Sequence, residues 1–485
     1  MPRPLRLCLA ITAIAFVAAP SLRFAQESVK RVPAVQAMVG LEAPAVVLTH
    51  ARVIDGTGAP PLPDQTIVIE RGKIASIGNP SQAPAPAGAK VLDLSGDTVI
   101  PGLVGMHDHL FYPSGSVEGV ALYNELGFSA TRLYLACGVT TIRTTGSIEP
   151  YTDLNLKKLI DAGRLTGPEI FVTGPYLEGS GAYTPQMHEL SGPDEARKTV
   201  DFWADEGVTS FKAYMHITRA ELGAAIDEAH KRGIKVTGHL CSVGFREAAD
   251  LGIDDLEHGL LVDTEFDPGK TPDVCPSQQL TASTLAQIDV EGAAVQQTIH
   301  ALVEHHVAVT STLPVFETFV PNRPPISQRV LDAMLPQARI DYLTRRARIG
   351  ESKDSPWPVI FKKEMQFERD FVRAGGLLLA GNDPTGYGGD LAGYGDWREV
   401  ELLVEAGFTP LETIQIASAN GARFLDQSDR IGTLAPGKQA DLLVIHGDPS
   451  TKISDIENVT LVFKNGVGYD AGKLMDSVRG MVGLH

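Results

Sequence analysis

Short apolar runs separated by polar, helix-patterned stretches fill the middle of the chain. VTTIR (139–143), EIFVT (169–173), SFKAY (210–214), KVTGH (235–239), DLEH (255–258), VAVTS (307–311) and GLLLA (376–380) read as strands by length and content. An eighth run, VIPGL (99–103), leads into VGMHDHL (104–110). Between them RAELGAAIDEAH (219–230) and FREAAD (245–250) carry helical spacing. Eight βα units in series predict an α/β fold, a TIM (β/α)8 barrel over residues 99–429. A doubly wound open sheet is the competing architecture. It is disfavoured because no G-x-G-x-x-G follows the first strand.

Both ends of this series are strand-rich instead. AVVLT (45–49), RVID (52–55) and KVLDL (90–94) read as strands, and QTIVIERGKIASIG (65–78) as a hairpin turning at Arg71-Gly72. PSQAPAP (80–86) is a surface loop. ADLLVI (440–445) and VTLVFKNG (459–466) repeat the pattern near the other end. Together they predict a small β-sandwich domain built from both chain ends, residues 45–98 and 430–475. Residues 26–44 have no clear period and read as a loose leader.

Residues 1–25 read as an export signal. Arg3 and Arg6 are a basic start, and LCLAITAIAFVAA (7–19) is an apolar core too short to span a bilayer. Cleavage after Ala25 gives an exported protein, periplasmic or extracellular, with no membrane attachment afterwards; an uncleaved anchor is the alternative. Cys8 would leave with the signal. Cys137, Cys241 and Cys275 remain, odd in number and widely spaced, so no disulfide framework is expected. A formal net charge of -17 argues against nucleic acid or an anionic membrane as partner. Hydrophobic and charged contents of 43% and 21% over 485 residues are those of an ordinary globular protein.

In a barrel of this kind, chemistry gathers at the C-terminal ends of the strands. Those positions hold His107 and His109, then Lys212, His239, His258 and Asp383. His107 and His109 are two apart and share a strand face. Lys212 lies in an otherwise mostly apolar or aromatic run, SFKAYM (210–215), and is expected to point inward, where it needs a partner. Nitrogen and oxygen donors converging on one mouth are a metal-site pattern.

With these residues in place the chain resembles the amidohydrolase superfamily, most of all its imidazolonepropionase-like and prolidase-like (Xaa-Pro dipeptidase-type) branch. The resemblance spans about residues 45–470. It rests on VIPGLVGMHDH (99–109), GVTSFK (207–212), VTGH (236–239), LEHG (256–259), AGND (380–383), LLVEAGFTPLE (402–412) and IGTLAPGKQADL (431–442). It implies two divalent metal ions, Zn²⁺ first, with Mn²⁺, Co²⁺ or Fe²⁺ as alternatives. His107, His109 and Asp383 would hold one ion and His239 and His258 the other. Lys212, carbamylated by carbon dioxide, would bridge them, because a carbamate is an anionic oxygen ligand and an ammonium is not. The implied reaction is amide hydrolysis of a dipeptide or an N-acyl or aryl-acyl amino acid by a metal-bridging hydroxide. In it Asp383 takes the proton and passes it to the leaving amine.

Tyr214, two residues beyond Lys212, is expected to donate to the substrate carbonyl or carboxylate, and His216 to lie on the same side. Relatives often carry a histidine where GDWREVE (395–401) stands, so Trp397 is expected to contact a bulky apolar or aromatic substrate. His188 and Tyr112 are weaker rim candidates. The loops TEFDPGKTPDVCP (264–276) and PNRPP (321–325) are expected to wall the pocket. Their Lys270 and Arg323 could meet a carboxylate, although a solvated surface charge is the simpler reading. Two other functions stay open: hydrolysis of a cyclic amide or lactone, and a metal-free binding protein on the same scaffold. The partner is a small molecule, and a homo-oligomer is compatible with the sequence.

Overall fold

The computed structural model describes residues 30–117, 120–385 and 388–483; the expected export signal lies outside them. Seven of the eight central runs form parallel strands, in two sheets. One has the order Glu169–Phe171, Val139–Thr144, Leu103–Asp108. The other runs Thr173–Leu177, Ser210–Ala213, Lys235–Gly238, Asp255–Glu257, Ala308–Ser311, Leu378–Ala380. The predicted strand EIFVT is thus divided at Val172 between the two sheets. At the opposite edge, the Asn382 and Asp383 amides donate to the His107 carbonyl at 3.2 and 2.8 Å. Gly381 permits this approach, since a Cβ there would lie 2.4 Å from the His107 amide nitrogen. The sheets therefore adjoin at both ends of the series.

The run VIPGL does not belong to the parallel set. Asp97–Pro101 pairs antiparallel with Leu442–His446. Pro101 has no N–H to extend the ladder. Gly102 then donates to Asp441, and Leu103 to Gly138, as the chain crosses between sheets. The first parallel strand, Leu103–Asp108, is VGMHDH together with the leucine before it.

Strands from both ends of the chain form one hydrogen-bonded sheet of nine strands, where a sandwich was expected. It curls: Ile74 exchanges backbone bonds with Lys438 and Gly437, bringing the Lys73–Gly78 edge back to the approach of Leu442–His446. Val46, Leu48, Ile67, Ile69, Val99, Leu442, Val444 and Phe463 fill its interior. Ile100, Leu443, Ile445 and Val462 face the other way, into the main core. The expected hairpin turn is present, with Arg71 and Gly72 both left-handed (φ 52° and 76°). From residue 30 onward the expected leader takes regular structure. Pro33–Gln36 is a helical turn, and Val39–Leu41 pairs with Val467–Asp470 at the sheet edge. Three residues are too few to show a period in sequence, yet an edge accepts any extended segment.

Two features shape the mouth. A hairpin, Phe111–Val117 and Val120–Glu125, follows the first parallel strand. Cys241 and Cys275 form a disulfide, which corrects the expectation of none. The fold brings the loop 264–276 back over the residues that follow His239, a proximity that spacing along the chain does not reveal. No helix among the described residues is long and apolar enough to cross a membrane.

Candidate metal centre

His107 lies near the end of Leu103–Asp108, and His109 just beyond it; both are buried. Asp383 reaches them from the loop after Leu378–Ala380, its Oδ1 3.7 Å from His107 Nε2 and 3.3 Å from His109 Nε2. Lys212, fully buried in its strand, places Nζ 3.1 Å from His107 Nε2. His258 follows Asp255–Glu257; its Nε2 is 3.9 Å from Asp383 Oδ2, and its ring centroid 4.6 Å from that of His107. His239 closes the set with its ring centroid 4.5 Å from that of His258. All six expected ligand residues therefore come together. Two of them hold strained backbone: His258 (φ 69°) and Asp383 (φ 52°) are left-handed without being glycine. Such conformations persist where surrounding structure over-determines them.

Neighbours aim the imidazoles. Glu257 Oε2 lies 2.8 Å from His107 Nδ1, and Thr312 Oγ1 2.6 Å from His258 Nδ1, so each Nε2 is left facing the cluster. Glu257 is itself held by Arg143 (2.9 Å), which also bonds Asp255 and the Met106 carbonyl. Sequence reasoning missed this support. Its signals were an arginine inside the apolar strand VTTIR and a glutamate directly before His258.

Burial fixes the protonation states. It pulls His109 down to about 4 and His239 to about 3, and lowers His107 and His258, so all four rings are neutral near pH 7. Burial also pulls Lys212 down to about 8 despite Glu257 and Asp383, bringing the neutral amine within reach. Burial alone would raise Asp383. His107 and His109 outweigh it, and the carboxyl stays ionised, well below its usual range. Neutral imidazoles and an ionised carboxylate are the forms that ligate a cation. One ligand atom from each of His107, His109 and Asp383 lies within 4.8 Å of the other two. His258 Nε2 and His109 Nδ1 are buried without a hydrogen-bond partner, an expense that a ligand would relieve. This donor set fits a divalent ion of the zinc class.

The other expected contacts divide. Tyr214 reaches the centre, its ring 4.9 Å from His239 and 5.7 Å from Lys212 Nζ. Phe111 stacks on His109 at 4.3 Å, and Phe316 meets His258 at 5.4 Å. Tyr123 and Tyr183, joined by their hydroxyls at 3.0 Å, complete one aromatic wall. His216 instead pairs with the buried Glu178. Trp397 is only 2% exposed; its Nε1 donates to the Cys137 carbonyl, and the Arg329 guanidinium lies 5.5 Å from its ring. It lies on the helix Tyr394–Ala406, its ring 5.7 Å from that of Tyr394. His188 pairs with Glu195 on the surface, and Tyr112 donates to the Gly388 carbonyl. Arg323 is bound to Glu317 and Glu405. Lys270 donates to the carbonyls of Cys241, Ser242 and Val274, fastening its loop beside the disulfide.

A model of the amidohydrolase family matches residues 98–468. D-hydantoinase of Streptomyces coelicolor is 24% identical over 402 residues, 78% of this chain and 81% of that enzyme. Among solved structures, a prolidase-like protein of Bifidobacterium longum is 25% identical with a TM-score of 0.63, over 90% of this chain and 98% of that one. A Xaa-Pro dipeptidase with bound methionine is 20% identical with a TM-score of 0.65, over 88% of this chain and 100% of that one. The chain belongs to the amidohydrolase family, with its structural likeness among the prolidase-like members, and is a hydrolase of C–N bonds.

Proposed function

We propose that the parallel strands form one TIM barrel whose mouth holds two divalent ions, and that the protein hydrolyses amide bonds of dipeptides or N-acyl or aryl-acyl amino acids there. The observation that carries this reading is the convergence of His107, His109, Lys212, His239, His258 and Asp383, with the buried, unpartnered Nε2 of His258 among them. His107, His109 and Asp383 would hold one ion, His239 and His258 the second, and a carbamate on Lys212 would serve both. The ions, when bound, supply an acidified water and polarise the scissile carbonyl. Asp383 receives the proton at a carboxylate oxygen and returns it to the leaving nitrogen. Tyr214 orients the acyl group, and the rings of Phe111, Tyr123, Tyr183 and Phe316 exclude water and favour an aromatic or apolar substituent. The Cys241–Cys275 bridge supports work in an oxidising compartment after export.

The test combines metal analysis, ¹³C NMR of protein equilibrated with ¹³C-bicarbonate, and a library of dipeptides and N-acyl amino acids. Expected are two tightly held ions, a carbamate resonance that Lys212→Ala abolishes, and turnover of the aryl-acyl members. Protein free of metal that turns over nothing sinks the proposal. The likeness to D-hydantoinase favours a second reading, ring opening of a cyclic amide. Turnover of hydantoins with no linear amide cleaved would select it.

A further inference from the structure

Two aromatic walls meet the candidate metal centre, and they differ in chemistry. Phe111 lies on His109 and Tyr214 against His239, and Tyr123 and Tyr183 continue that side; three of these four rings carry hydroxyls. On the side of His258 the rings carry none. Phe316 meets His258 at 5.4 Å, Trp357 lies 6.0 Å from Phe316 with the two planes 30° apart, and Phe319 stacks on Trp357 at 4.9 Å. A continuous series of rings thus starts at His258. All three are half-buried. Pro314, Glu317 and Thr318 of the same segment line a separate cavity of about 270 Å³, which none of the three rings lines.

Both ring-bearing segments are tied to that of His258. Thr312, just before the turn Leu313–Glu317 that carries Phe316, binds His258 Nδ1, and the Leu313 amide donates to the buried Glu399. The helix Trp357–Arg373 is held by its Glu364, which accepts from the Leu261 amide in the turn after His258. Arg346 donates to the carbonyls of Thr318 and Val320, on either side of Phe319. Rings held this way are in place before a ligand arrives, so binding there loses little to ordering. Hydroxyl donors suit the polar, carboxylate end of an N-acyl amino acid. The hydroxyl-free series on the other side suits its acyl group. One ring placed against Phe316 leaves Trp357 and Phe319 uncovered, whereas a longer apolar group covers them too and buries more surface.

We propose that Trp357 and Phe319 form an outer subsite for the far end of an acyl group longer than a single ring, so that extended aromatic acyl groups are preferred over short ones. The inference rests on the amidase reading above and names the acyl group that this reading leaves open.

The experiment uses the whole protein and two readouts. One is kcat/KM for N-acetyl-, N-benzoyl- and N-(biphenyl-4-carbonyl)-L-alanine. The other is the affinity of benzoate and biphenyl-4-carboxylate by calorimetric titration, which needs no turnover. In each series the biphenyl member is expected to be favoured about tenfold or more over its single-ring counterpart. Trp357→Ala should remove that advantage in both readouts and leave N-benzoyl-L-alanine and benzoate within about twofold of the parent. Phe319→Leu, a milder change, should remove part of it, and it carries the test where Trp357→Ala does not fold by circular dichroism. Equal affinity of the two carboxylates, binding of neither, or an advantage that survives both substitutions would overturn the proposal. Should no N-acyl amino acid be cleaved, the amidase reading fails, and the two carboxylates still decide whether the subsite exists.

Discussion

Glu257 touches no expected substrate, yet the cluster depends on it. It fixes the tautomer and direction of His107 through Nδ1, and Arg143 fixes Glu257 in turn. Partners of this kind tune a metal site nearly as strongly as the ligands themselves. Glu257→Gln is therefore expected to weaken metal binding by about 10- to 100-fold, read by competition with a chelator, with the fold retained by circular dichroism. The six candidate ligands were legible because strand ends are a property of the sequence once the strands are placed. The direction of Trp397 was not. Its helix was identifiable, but which face meets Cys137 is decided by packing between distant elements. Glu368 shows another residue-scale effect. Burial pushes its carboxyl up to about 8, with only a Ser311 contact opposing. The folded state thus holds a proton that an unfolded glutamate, near about 4.3, has released. The stability this gives is complete below about pH 4.3 and is lost as pH rises through about 8. Glu368→Gln cannot lose a proton. Relative to the parent, its melting temperature should rise steadily between about pH 4 and about pH 8 and level off above that.

At the scale of elements, the loop 264–276 is the clearest case of structure that counting residues missed. Three widely spaced cysteines suggested no bridge, but the parallel pairing of Lys235–Gly238 with Asp255–Glu257 brings the segment after the first strand under the loop after the second. Adjacency in the sheet, not spacing in sequence, pairs Cys241 with Cys275. Lys270 pins the same loop through three carbonyls. Cys275→Ser is expected to cost about 2–4 kcal/mol of stability in denaturant titrations, because the bridge closes a loop that is otherwise free in the unfolded chain. Peptide mapping without reductant should recover Cys241 and Cys275 as one linked species, with Cys137, buried and free, as the sole thiol among the described residues. The helix Arg219–Lys231 was legible to its first residue, since Thr218 and Glu221 form the reciprocal cap that their spacing announces. The hairpin Phe111–Val117 and Val120–Glu125 was not, because its polar and glycine content reads as loop.

For the whole molecule, the order of parallel strands was readable from alternation alone, whereas the form of the second sheet was not. Patterns of inward and outward residues predict a face, but they do not tell two stacked sheets from one that curls back to its own edge. The Val39–Leu41 strand, too short to carry a pattern, was invisible for the same reason. Both chain ends contribute to this sheet, and Lys464 ties it to the parallel strands by donating to the Gly167 carbonyl at 2.8 Å. Ending the chain at residue 430 would remove Leu442–His446, Val459–Lys464 and Val467–Asp470. That form should be found in the insoluble fraction while the full chain is soluble, as read by gel after centrifugation. The same arrangement has a temporal consequence. Thr98 waits for Gly447, 349 positions downstream. At a synthesis rate of about 5–20 residues per second, that delay is about 20–70 s. Throughout it the Asp97–Pro101 edge stands open to any passing strand, and a holdase that shields nascent chains would find its client in this interval and lose it when the last strands arrive.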